Sequence, residues 1–221
     1  MKTYIAEFLG TSLLLAIVTG SGLMGDTLGQ GNVAVALLGN SIATGAGLYV
    51  LIVLLRPISG AHFNPVVSLM SWKLGHINLR ALLVYGVGQV SGALTGVWLT
   101  HVMFGLPIIQ ESAKYRTGAG IWISEWVSTL VLLSVIRLGD QVAKDKVPML
   151  VAMTVTAGYW FTSSTFFANP AVAVARSFTN TFVGIAGQDV LGFVVSEFLA
   201  GFMFIFFFCN PGKNAADSAK L

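Results

Sequence analysis

The sequence predicts an all-α membrane protein with six transmembrane helices and two re-entrant half-helices. Of its 221 residues, 55% are hydrophobic and 10% are charged, whereas soluble domains carry about 25% charged residues. The mean hydropathy is +0.81. Six segments approach the roughly 20 apolar residues that a membrane span requires. They are 4–24, 33–55, 81–104, 119–138, 147–166 and 190–209.

The first span is interpreted as a retained helix and not as a signal peptide, because one lysine precedes it, it contains Glu7 and it shows no convincing cleavage site. We expect a multi-pass protein of the inner (plasma) membrane with both termini in the cytoplasm. This orientation agrees with the positive-inside rule and explains the net charge of +3 without a nucleic acid partner. It places inside Lys2, Arg56, Lys73, Arg80, Arg137, Lys144, Lys146, Lys213 and Lys220, and outside Lys114, Arg116 and Arg176.

The sequence offers little support for an enzyme or a metalloprotein. The single cysteine, Cys209, excludes an intramolecular disulfide framework and a cysteine-based metal cluster. Three histidines are scattered along the chain, and neither a GxSxG nor an HExxH motif occurs. We therefore expect no catalytic residues, no metal and no cofactor.

Polar residues recur in the same order in the two halves of the chain, which indicates an internal repeat. Each copy holds three spans, an odd number, so the second copy is predicted to be inverted in the membrane. The predicted divisions are a first repeat at 1–104, a connecting loop at 105–118, a second repeat at 119–211 and a cytoplasmic tail at 212–221. The recurring order is Glu7, Asn64-Pro65 and Gln89, then Glu125, Asn169-Pro170 and Glu197. The three carboxylates are expected to hold the scaffold by bonding backbone groups.

The two Asn-Pro pairs predict the half-helices. Asparagine is a favoured N-cap and proline is favoured at the first helical position, so helices are predicted at 64–74 and 169–178. Each is about half as long as the membrane core is thick. Entering from opposite faces, they bring Asn64 and Asn169 together near the midplane. Irregular backbone at that depth requires a watery cavity or surrounding protein, and we predict a pore.

The predicted pore favours neutral solutes. The two asparagine amides supply N–H donors, and the carbonyl groups of the preceding loops supply acceptors, so a hydroxylated solute exchanges its water hydrogen bonds for these. A cation must lose its hydration and face two positive helix ends. Ions and protons are therefore expected to be excluded.

These motifs resemble those of the aquaporin superfamily of major intrinsic proteins, over about residues 3–211. The stretch SGAHFNPVVSL is similar to the family's first signature, SGAHxNPAVT, with Val66 in place of the usual alanine. The second, ANPAVAVARSF, keeps Asn169, Pro170 and Ala171 intact. The resemblance implies an aquaporin-like fold, a homotetramer and one pore per subunit.

The resemblance also implies a selectivity filter, assigned by spacing to Thr44, Ala157, Phe166 and Val172. Val172 stands where nearly all relatives have arginine, so the constriction is expected to be wide and uncharged. It suits glycerol, water and undissociated metalloid acids such as arsenous acid, as in an aquaglyceroporin. The alternatives are a channel mainly for water and, more distantly, a secondary transporter.

Two further residues have open roles near the pore. Arg176, four residues beyond Val172, either acts as a displaced filter cation or snorkels to the interface and caps loop carbonyls. His62 either gates the cytoplasmic mouth by protonation or lines the pore as a hydrogen-bond donor. No role is assigned to His76 or His101.

Overall fold

The computed structural model describes residues 1–209, and all regular secondary structure in that range is helical. The tail predicted at 212–221 and the end of the second repeat, 210–211, lie outside the described residues. The α-helices are α1 (Lys2–Gly29), α2 (Val33–Ser59), α3 (Pro65–Lys73), α4 (Leu79–Met103), α5 (Ala119–Val142), α6 (Val147–Phe161), α7 (Pro170–Arg176) and α8 (Val190–Phe208).

Asparagine side chains begin two of the long helices. Asn32 Oδ1 accepts hydrogen bonds from the backbone N–H groups of Ala34 and Val35, at 3.1 and 3.2 Å, where α2 starts. Asn78 begins α4 in the same way, because this side chain satisfies donors that the first helical turn leaves free. Gly60, with a φ of 90°, ends α2. Glycine adopts this left-handed conformation without a steric penalty.

Five helices within residues 1–209, namely α1, α2, α4, α5 and α8, are long and apolar enough to cross a membrane. The fifth predicted span, 147–166, is wrong at its end because α6 stops at Phe161 and has 15 residues. Phe166 and Phe167 are apolar, but they are buried in a loop that leads to Asn169. These two positions are apolar because they are buried within the protein, and not because they belong to a helix that faces lipid.

The helices of the two halves pack in matching patterns. In the first half α1 lies between α2 and α4, and in the second half α5 lies between α6 and α8. The short helices cross between the halves, since α3 packs against α8 and α7 against α4. This exchange brings the N-terminal ends of α3 and α7 together in the middle of the bundle.

Glycines allow α1 and α4 to approach closely. A Cβ atom added at Gly92 would lie 2.4 Å from the carbonyl oxygen of Phe8, and one at Gly96 would lie 2.1 Å from that of Ser12. Both distances are shorter than any real carbon contact, so only glycine fits. Small residues at helix interfaces are typical of membrane proteins, in which close backbone packing replaces the hydrophobic effect between helices.

Candidate functional site: a cavity beside two asparagines

Asn64 and Asn169 connect the two halves at the centre of the bundle. The Nδ2 atom of Asn64 donates to the carbonyl oxygen of Ala168 at 2.6 Å, and the Nδ2 atom of Asn169 donates to that of Phe63 at 2.8 Å. Each asparagine thus bonds the residue that precedes the other one. The two side chains are 4% and 5% exposed, and we call them the asparagine pair.

Helix capping sets the orientation of both amides. Asn64 Oδ1 accepts from the backbone N–H of Val66 at 2.9 Å, and Asn169 Oδ1 accepts from those of Ala171 and Val172 at 3.1 and 3.4 Å. With the oxygen turned to its own helix, each Nδ2 points away from it. An amide nitrogen carries two N–H groups, so one remains after the bond to the opposite loop.

The loops before the asparagine pair adopt unusual backbone conformations. Ala61 and Phe63 have φ values of 52° and 51°, and Thr165, Phe166 and Ala168 have 66°, 57° and 48°. Non-glycine residues rarely occupy this left-handed region, because it brings Cβ close to the backbone. Strain of this kind persists where surrounding contacts hold the backbone.

Glu7 supplies such contacts to the first loop. Its Oε1 accepts hydrogen bonds from the Ser59 hydroxyl at 2.6 Å and from the backbone N–H of His62 at 3.0 Å. Its Oε2 accepts from the backbone N–H of Phe63 at 2.8 Å and from Gln89 Nε2 at 2.7 Å. A fully buried carboxylate therefore satisfies two backbone donors next to Asn64.

The second loop is held by two carboxylates. The two oxygens of Glu125 accept from the backbone N–H groups of Phe167 and Ala168 at 3.0 and 2.7 Å. Glu197 Oε1 accepts from the backbone N–H of Asn169 at 2.9 Å. Its Oε2 meets no N–H or hydroxyl donor among residues 1–209, and the side chain interacts with the neighbouring carboxyl of Glu125. Glu197 corresponds to Gln89 of the first half, which donates to Glu7.

A cavity of about 670 Å³ runs beside the asparagine pair. Its wall combines apolar side chains such as Leu48, Val67 and Val151 with backbone of both loops. One end lies near Arg56 and the other near Arg176, and we call these the Arg56 end and the Arg176 end. The charged residues in its wall are Arg56, Arg137, Asp140, Lys144 and Arg176.

The rest of each Asn-Pro motif lies behind the cavity. Pro65, Val66, Pro170 and Ala171 are absent from its wall, whereas both asparagines are in it. Val66 is fully buried, and a Cβ atom added at Gly201 of α8 would lie 2.6 Å from its side chain. Val66 therefore fills the contact between α3 and α8.

Three of the four residues assigned to the filter line the cavity, and the fourth does not. Thr44, Phe166 and Val172 are in its wall. The assignment of Ala157 is wrong, because this side chain is exposed on the outer face of α6. Tyr159, two residues later, lines the cavity instead, and its hydroxyl oxygen lies 3.2 Å from Thr44 Oγ1.

Arg176 combines features of both interpretations. Its Nε donates to the carbonyl oxygen of Val183 at 2.5 Å, which is loop capping. However, it does not snorkel to the surface, since it is 2% exposed and lines the cavity. Its guanidinium carbon lies 3.5 Å from the centre of the Phe167 ring, so a cation–π contact holds it in place.

His62 and His76 line the cavity towards its Arg56 end, whereas His101 does not. Nδ1 of His62 lies 3.0 Å from the Ser68 hydroxyl. His101 is fully buried, and its two ring nitrogens lie 2.7 Å from the Ile108 carbonyl and 2.8 Å from the Thr179 hydroxyl. It joins two loops at the Arg176 side of the molecule.

Sequence reasoning missed Tyr159 and Phe167, which line the cavity, and Arg116, which contacts Phe167 from outside the cavity wall. A hydroxyl within an apolar span was an available signal for Tyr159, but a loop arginine such as Arg116 carries none. Arg116 Nε donates to the Gly184 carbonyl at 3.1 Å, and its guanidinium carbon lies 5.7 Å from the centre of the Phe167 ring. Burial of Arg116 lowers its pKa, because desolvation disfavours the charged form.

Comparison with known proteins identifies the family. The chain is 51% identical over 195 residues to the aquaglyceroporin AqpS of Rhizobium meliloti (strain 1021). The aligned region covers 88% of this chain and 83% of that protein. It is 36% identical over 116 residues to the propanediol uptake facilitator PduF of Citrobacter freundii, covering 52% of this chain and 42% of that protein.

A solved structure shares the fold. The X-ray structure of the aquaglyceroporin from Plasmodium falciparum superposes with a TM-score of 0.74 at 19% identity and covers 98% of both chains. Residues 1–193 match the profile of the family described as major intrinsic protein. With its multi-pass helical fold, its two inward-facing asparagines and these relatives, the chain belongs to the major intrinsic protein family of membrane channels, which are not enzymes.

Proposed function

We propose that the chain is a passive channel for small uncharged solutes, with the asparagine pair at its centre. The observation that carries this proposal is the Nδ2 N–H group of each asparagine that stays free within residues 1–209, beside a cavity of about 670 Å³. Both Oδ1 atoms are occupied by helix capping, so the pair presents donors to the passage. A water or alcohol oxygen accepts from these donors, whereas a cation is repelled by the positive end of each N–H dipole.

Glycerol is the solute class that the wall fits best. Thr44 and Tyr159 supply hydroxyl groups on one side, while Phe166 and Val172 supply apolar surface. A polyol has a hydroxylated edge and a hydrocarbon edge that match the two sides. The relative from R. meliloti is named an aquaglyceroporin, which supports the same solute class. We extend the proposal to water and to undissociated metalloid acids such as arsenous acid, which also carry hydroxyl groups and no charge.

A secondary transporter fits the site less well. Coupled transport requires ionisable groups beside the midplane substrate. Glu7, Glu125 and Glu197 are absent from the cavity wall and bond the loop backbone. Asp140, which lines the Arg56 end, is paired with Arg56. The passage therefore lacks a free carboxylate at its centre, within residues 1–209.

The surroundings of the channel complete the proposal. We propose two inverted repeats, 1–104 and 119–211, supported by the matching helix contacts of the two halves. The family resemblance and the distribution of Lys and Arg support a homotetramer in the inner membrane with both termini in the cytoplasm. In that orientation the Arg176 end faces outward.

Replacing Val172 with arginine tests the proposal. Val172 lines the cavity and is 6% exposed, so the longer charged side chain narrows the passage. We expect Val172→Arg to lower glycerol entry into proteoliposomes by about tenfold, which corresponds to about 1.4 kcal/mol in the barrier. Water entry, measured by stopped-flow shrinkage, should fall less, because water is smaller.

Val172→Leu is the matched control, since it adds apolar volume without charge and should lower glycerol entry less than arginine does. If Val172→Arg leaves glycerol entry at the wild-type rate, Val172 does not form the constriction. If wild-type protein accelerates water entry but not glycerol entry over empty liposomes, the chain is mainly a water channel.

A further inference from the structure

The guanidinium of Arg176 is buried at the wall of the passage without an acidic partner. Among residues 1–209 the guanidinium makes one hydrogen bond, from Nε to the Val183 carbonyl. The one ion pair in that range joins Arg56 to Asp140, so it does not involve Arg176. Arginine carries five N–H donors. The remaining four belong to the Nη atoms of a side chain that is 2% exposed and lines the cavity.

Two contacts hold this guanidinium at a fixed place. One is the bond to Val183, and the other is the face of Phe167, whose ring centre lies 3.5 Å away. Phe167 is itself held, since its backbone N–H donates to Glu125 at 3.0 Å. Arg176 is therefore positioned by the same carboxylate scaffold that shapes the loop before Asn169.

A second guanidinium adds positive potential at this level. Arg116 approaches Phe167 at 5.7 Å and bonds the Gly184 carbonyl at 3.1 Å. It stands outside the cavity wall. A buried charge acts over a longer range than one at an open mouth, because less water and salt screen it. Arg176 is thus the unpaired fixed charge that a solute meets most directly at this end of the passage.

We propose that Arg176 is a specificity-determining residue of the channel, which excludes cations at the Arg176 end and offers N–H donors to the oxygen atoms of neutral solutes. This inference rests on the proposed function. Under this proposal, passage width and charge depend on different residues. Val172 leaves the passage wide, and Arg176, four residues farther along the chain, carries the positive charge. Polyols of larger cross-section then pass a point that still repels cations.

Guanidinium ion is a suitable probe, because it is small, planar and permanently charged. We would measure its uptake into proteoliposomes with the membrane potential clamped by potassium and valinomycin, and measure glycerol entry in the same preparation. Wild-type protein should admit glycerol and hold guanidinium uptake at the level of protein-free liposomes. Arg176→Gln should raise guanidinium uptake by about tenfold, while glycerol entry stays above that of protein-free liposomes.

Two matched variants make the result specific. Arg176→Lys keeps the charge and should continue to exclude guanidinium. Lys114→Gln removes a charge near the same end but outside the cavity wall, and guanidinium uptake should stay low. Glycerol entry through Arg176→Gln also shows that this variant folds. If Arg176→Gln proves unfolded, Arg176→Lys decides: guanidinium uptake at the wild-type level supports the assignment, and a tenfold rise contradicts it.

The two proposals fail in different ways. The inference is overturned if Arg176→Gln admits glycerol but no more guanidinium than wild type, or if wild type itself admits guanidinium. The proposed function fails for glycerol if wild-type protein does not accelerate glycerol entry, and it fails altogether if water entry is not accelerated either.

Discussion

The substitutions Glu125→Gln and Glu197→Gln should affect the stability of the protein very differently. Both oxygens of Glu125 accept backbone N–H groups, from Phe167 and Ala168. Glutamine replaces one oxygen with an N–H₂ donor, so one backbone N–H faces a donor whichever way the amide turns. In Glu197 one oxygen accepts from Asn169 and the other meets no N–H or hydroxyl donor within residues 1–209. Glutamine keeps the first bond, and at the second place its amide N–H₂ group can donate to the carboxyl of Glu125, with which the Glu197 side chain interacts.

The size of the effect follows from these contacts. A buried donor without an acceptor costs about 1–3 kcal/mol, and for a chain of this size each kcal/mol lowers the melting temperature by about 2–4 °C. Glu125→Gln should therefore lower the melting temperature by about 2–12 °C. Glu197→Gln should leave it nearly unchanged, because Gln89 already occupies the equivalent place in the first half and donates to Glu7 at 2.7 Å.

Thermal unfolding of the purified protein in detergent, followed by tryptophan fluorescence, measures both variants beside wild type. A smaller loss for Glu197→Gln than for Glu125→Gln supports the roles assigned to the two carboxylates. Equal losses, or a larger loss for Glu197→Gln, would show that the second oxygen of Glu197 contributes to the scaffold and that the reasoning is wrong.

Two further substitutions test the packing of the bundle by the same unfolding measurement. Gly96→Ala should destabilise the protein by about 1–3 kcal/mol, because its Cβ would lie 2.1 Å from the Ser12 carbonyl oxygen. Gly86→Ala on the same helix meets nothing within 4 Å in the described part of the chain and should be neutral or slightly stabilising. Equal effects would contradict the close packing of α1 and α4. Asp140→Asn should cost about 1 kcal/mol or less, since its ion pair with Arg56 is partly exposed, and a loss of several kcal/mol would show that this pair holds the Arg56 end together.

The periodic parts of the molecule could be predicted closely from the sequence. Asn64 and Asn169 are predictable as helix starts because the capping chemistry of Asn-Pro is local, and the helices begin at the prolines that follow them. The long spans were recognisable because a lipid-facing helix needs continuous apolar residues. The end of α6 cannot be predicted from composition, since a buried loop containing Phe166 and Phe167 is as apolar as a membrane span.

The geometry of the site depends on that loop, which is why part of it could not be predicted. Counting back from Asn169 to Ala157 crosses residues 162–169, where three left-handed residues change the chain direction. Spacing does not report side-chain direction through such a segment, and Tyr159 takes the place assigned to Ala157. The contact of Arg176 with Phe167 is equally invisible, because it depends on how α7 and its preceding loop pack together.

Glycerol entry into liposomes that contain the wild-type protein is the most direct test of a passive channel through the asparagine pair. The rate should be measured by stopped-flow light scattering with the proton and sodium gradients intact and again after ionophores have collapsed them. A passive passage predicts entry faster than into protein-free liposomes and the same rate in both conditions. A rate no higher than in protein-free liposomes would contradict glycerol as the solute, and a rate that falls when the gradients collapse would contradict passive entry.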